Sequence, residues 1–220
     1  MQSLILRRLS VIAILLTGTN VAPAQDVPPP PPPKKDSGPS LEDTLGFIRD
    51  KLNGQGRVSW MVTTHDQSKG QDVTSSWHYV VSDVTTNLAA CAVSFNEVTN
   101  MNRFQFDYSW RFSFRDIEKL VVEPEKESQK RNLAETANKG GGPFTFVSEE
   151  PEVYSLTLYA NGKKLHYHLS TKRNGVRLIE YESEASITDF IVRDDDMAQR
   201  MAKALNHAVE LCGGGSKDAF

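Results

Sequence analysis

Six aromatic side chains stand at alternate positions from Phe104 to Phe114: Phe104, Phe106, Tyr108, Trp110, Phe112 and Phe114. Only an extended strand puts every second residue on one face, so this run predicts a β-strand with one aromatic side. Such a side belongs against a core, and the terminal helix described below is expected to seal it there. A stacking platform for sugars or bases is the other use of such a row. The chain around it is 39% apolar and 24% charged over 220 residues, which suits one domain with a packed core.

The same two-residue period recurs on both sides of the stripe. Val58, Trp60 and Val62 alternate with Ser59, Met61 and Thr63, and a polar turn from Asp66 to Gly70 leads into Trp77, Tyr79 and Val81. A third strand runs near Ala90 to Val98 with Cys91, Val93 and Phe95 on one face, and a fifth covers Ile117 to Glu123. Residues 124–143 are charged, poor in large apolar side chains and closed by Gly140-Gly141-Gly142. They read as a flexible insertion, an excursion from the domain. Strands resume with Val153, Leu156 and Leu158, a tight hairpin at Asn161-Gly162, and Leu165, Tyr167 and Leu169. Further strands cover Val176 to Tyr181 and Ile187 to Val192.

Helical spacing brackets the strands. Ser40 is a suitable N-cap for Leu41, Leu45, Ile48 and Leu52, predicting a helix over 41–52 that Asn53-Gly54-Gln55-Gly56 stops. At the other end Asp194, Asp195 and Asp196 suit a helix N-terminus. Behind them Met197, Met201, Ala204, Leu205, Ala208 and Leu211 make one apolar stripe, ended by Gly213.

Residues 1–24 read as a signal peptide: Arg7 and Arg8 precede the apolar run Leu9 to Leu16, and Ala22-Pro23-Ala24 supplies small residues for cleavage after Ala24. That run is far short of the roughly 20 residues a spanning helix needs, so no transmembrane segment is expected. Residues 25–39 are a proline-rich linker whose six prolines, Pro28 to Pro33, form a stiff spacer of roughly 20 Å. The single domain then covers 40–213 and a tail 214–220. Export places the mature protein in the periplasm or outside the cell. Losing Arg7 and Arg8 leaves a formal charge of -5 in place of -3, without the concentrated basic face a nucleic-acid binder needs. Cys91 and Cys212, 121 positions apart, match no zinc or redox spacing. In an oxidising compartment they are expected to form a disulfide.

One helix, a series of antiparallel strands and a closing amphipathic helix make an α+β domain. Phe114-Arg115-Asp116-Ile117-Glu118-Lys119-Leu120-Val121-Val122 and the junction Phe190-Ile191-Val192-Arg193-Asp194, running into Met197-Ala198 and Ala204-Leu205, resemble the pleckstrin-homology-like (PH-like) superfold, including its GRAM-type members. The stretch Ser40 to Gly213 is also similar to a family of exported bacterial proteins that share Leu45-Gly46-Phe47-Ile48 and His207-Ala208-Val209-Glu210-Leu211-Cys212-Gly213. The resemblance implies an antiparallel, strongly bent sheet or open barrel, closed by the C-terminal amphipathic helix and carrying an additional N-terminal helix.

No nucleophile elbow, paired-cysteine motif or dinucleotide fingerprint occurs, so neither catalytic residues nor a cofactor are assigned. His166 and His168 flank Tyr167 and share a strand face, which makes them weak metal-ligand candidates and, as an alternative, the centre of a metal-assisted hydrolase. Lys163-Lys164 and Lys172-Arg173 near hairpin tips are the basis of a second alternative, an anionic-lipid-binding PH-like module. The expectation is an exported, non-enzymatic binding or interaction domain for a protein or small ligand that the sequence does not name.

Overall fold

The computed structural model describes residues 38–138, 144–162 and 164–215. The expected signal peptide, nearly all of the proline-rich linker, Lys163 and the end of the tail lie outside the described residues.

Helix α1 (Leu41–Gly54) begins with a capping box: Ser40 Oγ accepts the Asp43 N–H at 3.1 Å, and the Asp43 carboxylate accepts the Ser40 N–H at 3.3 Å. Its Leu45, Ile48 and Leu52 are buried. Strands β1 (Val58–Asp66), β2 (Gln71–Asn87), β3 (Ala92–Met101) and β4 (Phe104–Ser113) then form an antiparallel meander. A 3-10 turn, Phe114–Asp116, redirects the chain into β5 (Ile117–Pro124) of a second sheet.

From there the chain alternates between sheets. Helix α2 (Glu125–Asn138) leads to β6 (Phe144–Glu150) beside β1, β7 (Tyr154–Ala160) beside β5, and β8 (Leu165–Arg173) beside β4. β9 (Val176–Ala185) pairs with β8 and β10 (Ile187–Val192) with β7, before α3 (Asp195–Cys212) closes the domain. The outcome is a seven-stranded sheet, β6-β1-β2-β3-β4-β8-β9, and a three-stranded sheet, β10-β7-β5. Neither closes into a barrel. One cluster of buried side chains joins both sheets to α1 and α3, with Phe114, Leu156, Leu158, Phe190 and Leu205 at its centre.

Several local expectations change. Asn161-Gly162 is no hairpin, because β7 and β8 belong to different sheets; Ala160 and Asn161 instead donate to the Ser186 and Asp116 carbonyls at 2.8 and 3.1 Å. The tight hairpin is Asn174-Gly175, between β8 and β9, where both residues have positive φ (51° and 80°) as a type I′ turn demands. The expected excursion over 124–143 is, in its described part, α2. It was hidden because Leu133 is its one large apolar residue, so it lacks the stripe that betrays a packed helix. In α3 the buried face runs through Ala198, Met201, Leu205, Ala208, Val209 and Cys212, whereas Leu211 is exposed.

The aromatic stripe also divides. Trp110, Phe112 and Phe114 are buried, whereas Phe104, Phe106 and Tyr108 are only half-buried. Helix α3 packs on the Phe114 end, leaving the other half of the stripe to different neighbours. Past α3, Gly214 runs so close to the 3-10 turn that a Cβ there would stand 2.3 Å from the Phe114 carbonyl oxygen. Only glycine fits, and the Gly215 N–H donates to the Ile117 carbonyl at 2.8 Å.

Asp194 caps α3 by accepting the Met197 N–H at 2.8 Å. Asp194→Ala is expected to cost about 1 kcal/mol, read as a lower urea midpoint with an unchanged slope; an unshifted midpoint would show that the cap contributes nothing.

Candidate functional site

The two cysteines meet, whereas the histidines and basic residues singled out in the sequence do not converge on one site. The Cys91 and Cys212 sulfurs lie at bonding distance, 2.16 Å, with Cα atoms 5.8 Å apart, at the start of β3 and the end of α3. His166 and His168 lie on β8 and face the acids of β9: His166 Nδ1 is 3.3 Å from Glu184 and His168 Nε2 is 3.3 Å from Glu180. Both rings are substantially exposed, and among the described residues no three His, Cys, Asp or Glu side chains converge as metal ligands. The described basic residues near the tips are engaged: Lys164 with Asp116 at 3.0 Å, Lys172 with Asp107 at 2.6 Å, and Arg173 over the Phe104 ring at 5.4 Å. No helix among the described residues is long and apolar enough to cross a membrane.

What does converge lies on the inner face of the large sheet, under α2. A cavity of about 340 Å³ opens there, floored by β1 to β4, roofed by α2 and bounded by β10. The strand register builds its floor. Trp60 pairs directly with Trp77, and their rings stack at 5.9 Å and 13°. Tyr79, Thr99 and Phe106 make the next cross-strand row, and Glu97 and Tyr108 the one after it. From the roof come Glu125, Ser128, Gln129 and Asn132, and from β10 comes Asp189.

Every ionisable side chain of this lining is an acid or a phenol. Glu97 Oε2 accepts the Trp110 indole N–H at 2.9 Å, and Oε1 accepts the Thr99 hydroxyl at 3.1 Å. Loss of solvent nonetheless pushes its carboxyl up to about 8, with the Asp189 charge adding to the rise. Glu125 Oε1 accepts from Gln129 Nε2 at 2.7 Å, whereas its buried Oε2 has no partner. Burial first, and the neighbouring acids Asp189, Glu149 and Glu123 after it, raise Glu125 to about 8 as well. Asp189 is raised by desolvation, opposed by a hydrogen bond from Ser155. Tyr79 donates from its hydroxyl to the Asp189 carbonyl at 3.2 Å, and burial lifts its phenol well above the ordinary value.

Comparison with known proteins adds no analogue for this arrangement. No family model, curated protein or solved structure matches this chain.

The cavity therefore stands on its own chemistry. Two of its polar atoms are buried without partners: the carboxyl oxygen Glu125 Oε2 and the donor Trp60 Nε1. Unpaired buried groups of this kind each cost about 1–3 kcal/mol, which a complementary guest would offset. Around neutral pH the carboxyls of Glu97 and Glu125 are largely protonated, ready to donate a hydrogen bond or to ionise opposite a positive charge. Sequence reasoning missed this group, although one signal was present. Glu97 shares the parity of Val93 and Phe95, so the strand that buries those two must also turn Glu97 inward. Glu125 and Asp189 carried no comparable mark.

Proposed function

We propose that this chain is an exported, non-enzymatic binding domain whose site is the cavity between α2, β10 and the aromatic floor of the large sheet. The observation that carries this reading is the pairing of shape with unmet chemistry: a volume within the ~300–1,000 Å³ of small-molecule sites, lined by aromatic rings, in which Glu125 Oε2 and Trp60 Nε1 lack partners. Export rests on the reading of residues 1–24 and is supported by the bonding distance between Cys91 and Cys212. The PH-like class remains part of the proposal, supported by the antiparallel sheets and the closing helix α3.

Trp60 and Trp77 report on the site directly. A panel of small amines, polyols, sugars and carboxylic acids is expected to contain a compound that changes tryptophan fluorescence and raises Tm. In Ser128→Leu, which fills the roof side of the cavity, both responses should vanish while the far-UV circular dichroism spectrum stays that of the parent. Hits that bind Ser128→Leu as tightly as the parent would remove the cavity from consideration. Chemical conversion of the bound compound would overturn the non-enzymatic part.

A further inference from the structure

We infer that the ligand of this cavity is an organic ammonium ion, held against the faces of the floor aromatics and neutralised by the carboxylates that surround it. The inference rests on the cavity being a binding site and adds the class of its occupant. Five aromatic rings, Trp60, Trp77, Tyr79, Phe106 and Tyr108, line one small space. The negative face of an aromatic ring attracts a cation, and attracts it more strongly where water is excluded. The charged partners are supplied from three separate elements: Glu97 from β3, Glu125 from α2 and Asp189 from β10. As anions Glu97 and Glu125 would each be repelled by Asp189 in this poorly hydrated space, and a guest cation is what removes that repulsion.

The positive side chains nearest the roof are paired with other acids and do not line the cavity. Lys126 pairs with Glu152, Lys130 with Glu127 at 2.8 Å, and Arg131 with both carboxylate oxygens of Glu123 at 2.9 and 2.6 Å. Glu125 Oε2 is buried without a donor, the position that an ammonium N–H or a hydroxyl beside the ammonium centre would occupy. The Trp60 indole N–H, likewise unpartnered, is a donor for an oxygen on the same molecule.

Binding a cation also implies release of protons. The titratable groups that face the site or act on it are Glu97, Glu125 and Asp189, with Tyr79 and Tyr108 from the floor and Glu149 and Glu123 beside the roof. The phenols stay neutral throughout the physiological range, since both are raised. The carboxyls are held protonated by burial, so a cation that needs them ionised must displace their protons. Affinity then rises with pH by up to about tenfold per pH unit for each proton displaced, up to about pH 8.

The test compares choline and putrescine with 3,3-dimethylbutan-1-ol, the uncharged carbon isostere of choline, and with the anion pivalate. Calorimetry and tryptophan fluorescence at pH 6 and pH 8 are applied to the parent, Glu125→Gln and Ser128→Leu. At least one ammonium compound is expected to bind, roughly tenfold or more tightly at pH 8 than at pH 6. The neutral isostere should be weaker by at least about tenfold, a difference of about 1.4 kcal/mol. Glu125→Gln, which copies the shape of the neutral acid, should lose a similar factor for the cation and leave the isostere unchanged. Equal binding of the isostere, preference for pivalate, or no binding of either ammonium compound would overturn the cation assignment. If a neutral or anionic compound then binds in a manner abolished by Ser128→Leu, the cavity is still the site. A cation that binds Ser128→Leu like the parent would sink both readings.

Discussion

Breaking the Cys91–Cys212 pair is expected to lower the free energy of unfolding by about 5 kcal/mol. The two cysteines are 121 residues apart, and in the chain-entropy account a loop of that length removes roughly this much freedom from the unfolded ensemble. The pair also fastens unlike elements. Cys91 stands at the turn into β3 with its carbonyl accepting the Phe114 N–H at 2.8 Å, and Cys212 ends the buried face of α3. Domains of this size have a total stability of about 5–15 kcal/mol, so the reduced protein stands near the edge of folding. Guanidinium unfolding with and without reductant, beside Cys91→Ser with Cys212→Ser, measures the effect. An unchanged midpoint, or two reactive thiols in oxidised protein under denaturing conditions, contradicts the cross-link.

Stability should also fall as pH rises from about 5 to about 8, a direction opposite to ordinary acid denaturation. In the unfolded chain Glu97 and Glu125 ionise near 4.5; in the folded chain each holds its proton to about 8. Below the lower value both states are protonated and the folded state carries no penalty. Between the two values the unfolded state gains from ionising while the folded state does not, at about 1.4 kcal/mol per pH unit for one such group. Above about pH 8 the penalty is complete, several kcal/mol in size, and less than twice the single-group figure because the acids influence one another. Glu97→Gln should match the parent near pH 5 and exceed it by several kcal/mol near pH 8, as read from urea unfolding at both pH values. Parallel pH profiles for parent and variant would show that Glu97 ionises freely in the fold.

The elements legible in the sequence are those whose side chains advertise a period. The capped α1, the alternating strands β1 to β4 and the amphipathic α3 each combine local propensity with a buried face. What escaped depends on partners distant in sequence. Asn161-Gly162 has hairpin composition, yet Leu156 and Leu158 are buried in the small sheet and Leu165 in the large one, so tertiary burial sends the flanking strands apart. Helix α2 is polar on nearly every side, so no pattern separates it from a solvated loop. Five of the six aromatics stand on strand β4 and Phe114 on the 3-10 turn that follows it, but the burial of the stripe depends on what covers it: α3 at one end and a cavity at the other. The acids of that cavity come from β3, α2 and β10, an assembly visible only once register and crossover are known.

The roof of that cavity is attached in an unusual way. Helix α2 buries only Glu125 and Ser128, and besides the Glu125 N–H donated to the Val153 carbonyl at 2.8 Å and Lys130 over the Phe146 ring, its outward ties include two ion pairs, to Glu123 and Glu152 on neighbouring segments. Attachments of this kind weaken as dissolved salt shields them, within a Debye length of about 10 Å at 0.1 M. The apolar frame of sheets, α1 and α3 does not respond in that way. Ionic strength thereby bears on part of what holds this helix over the cavity, while the frame behind it keeps its shape.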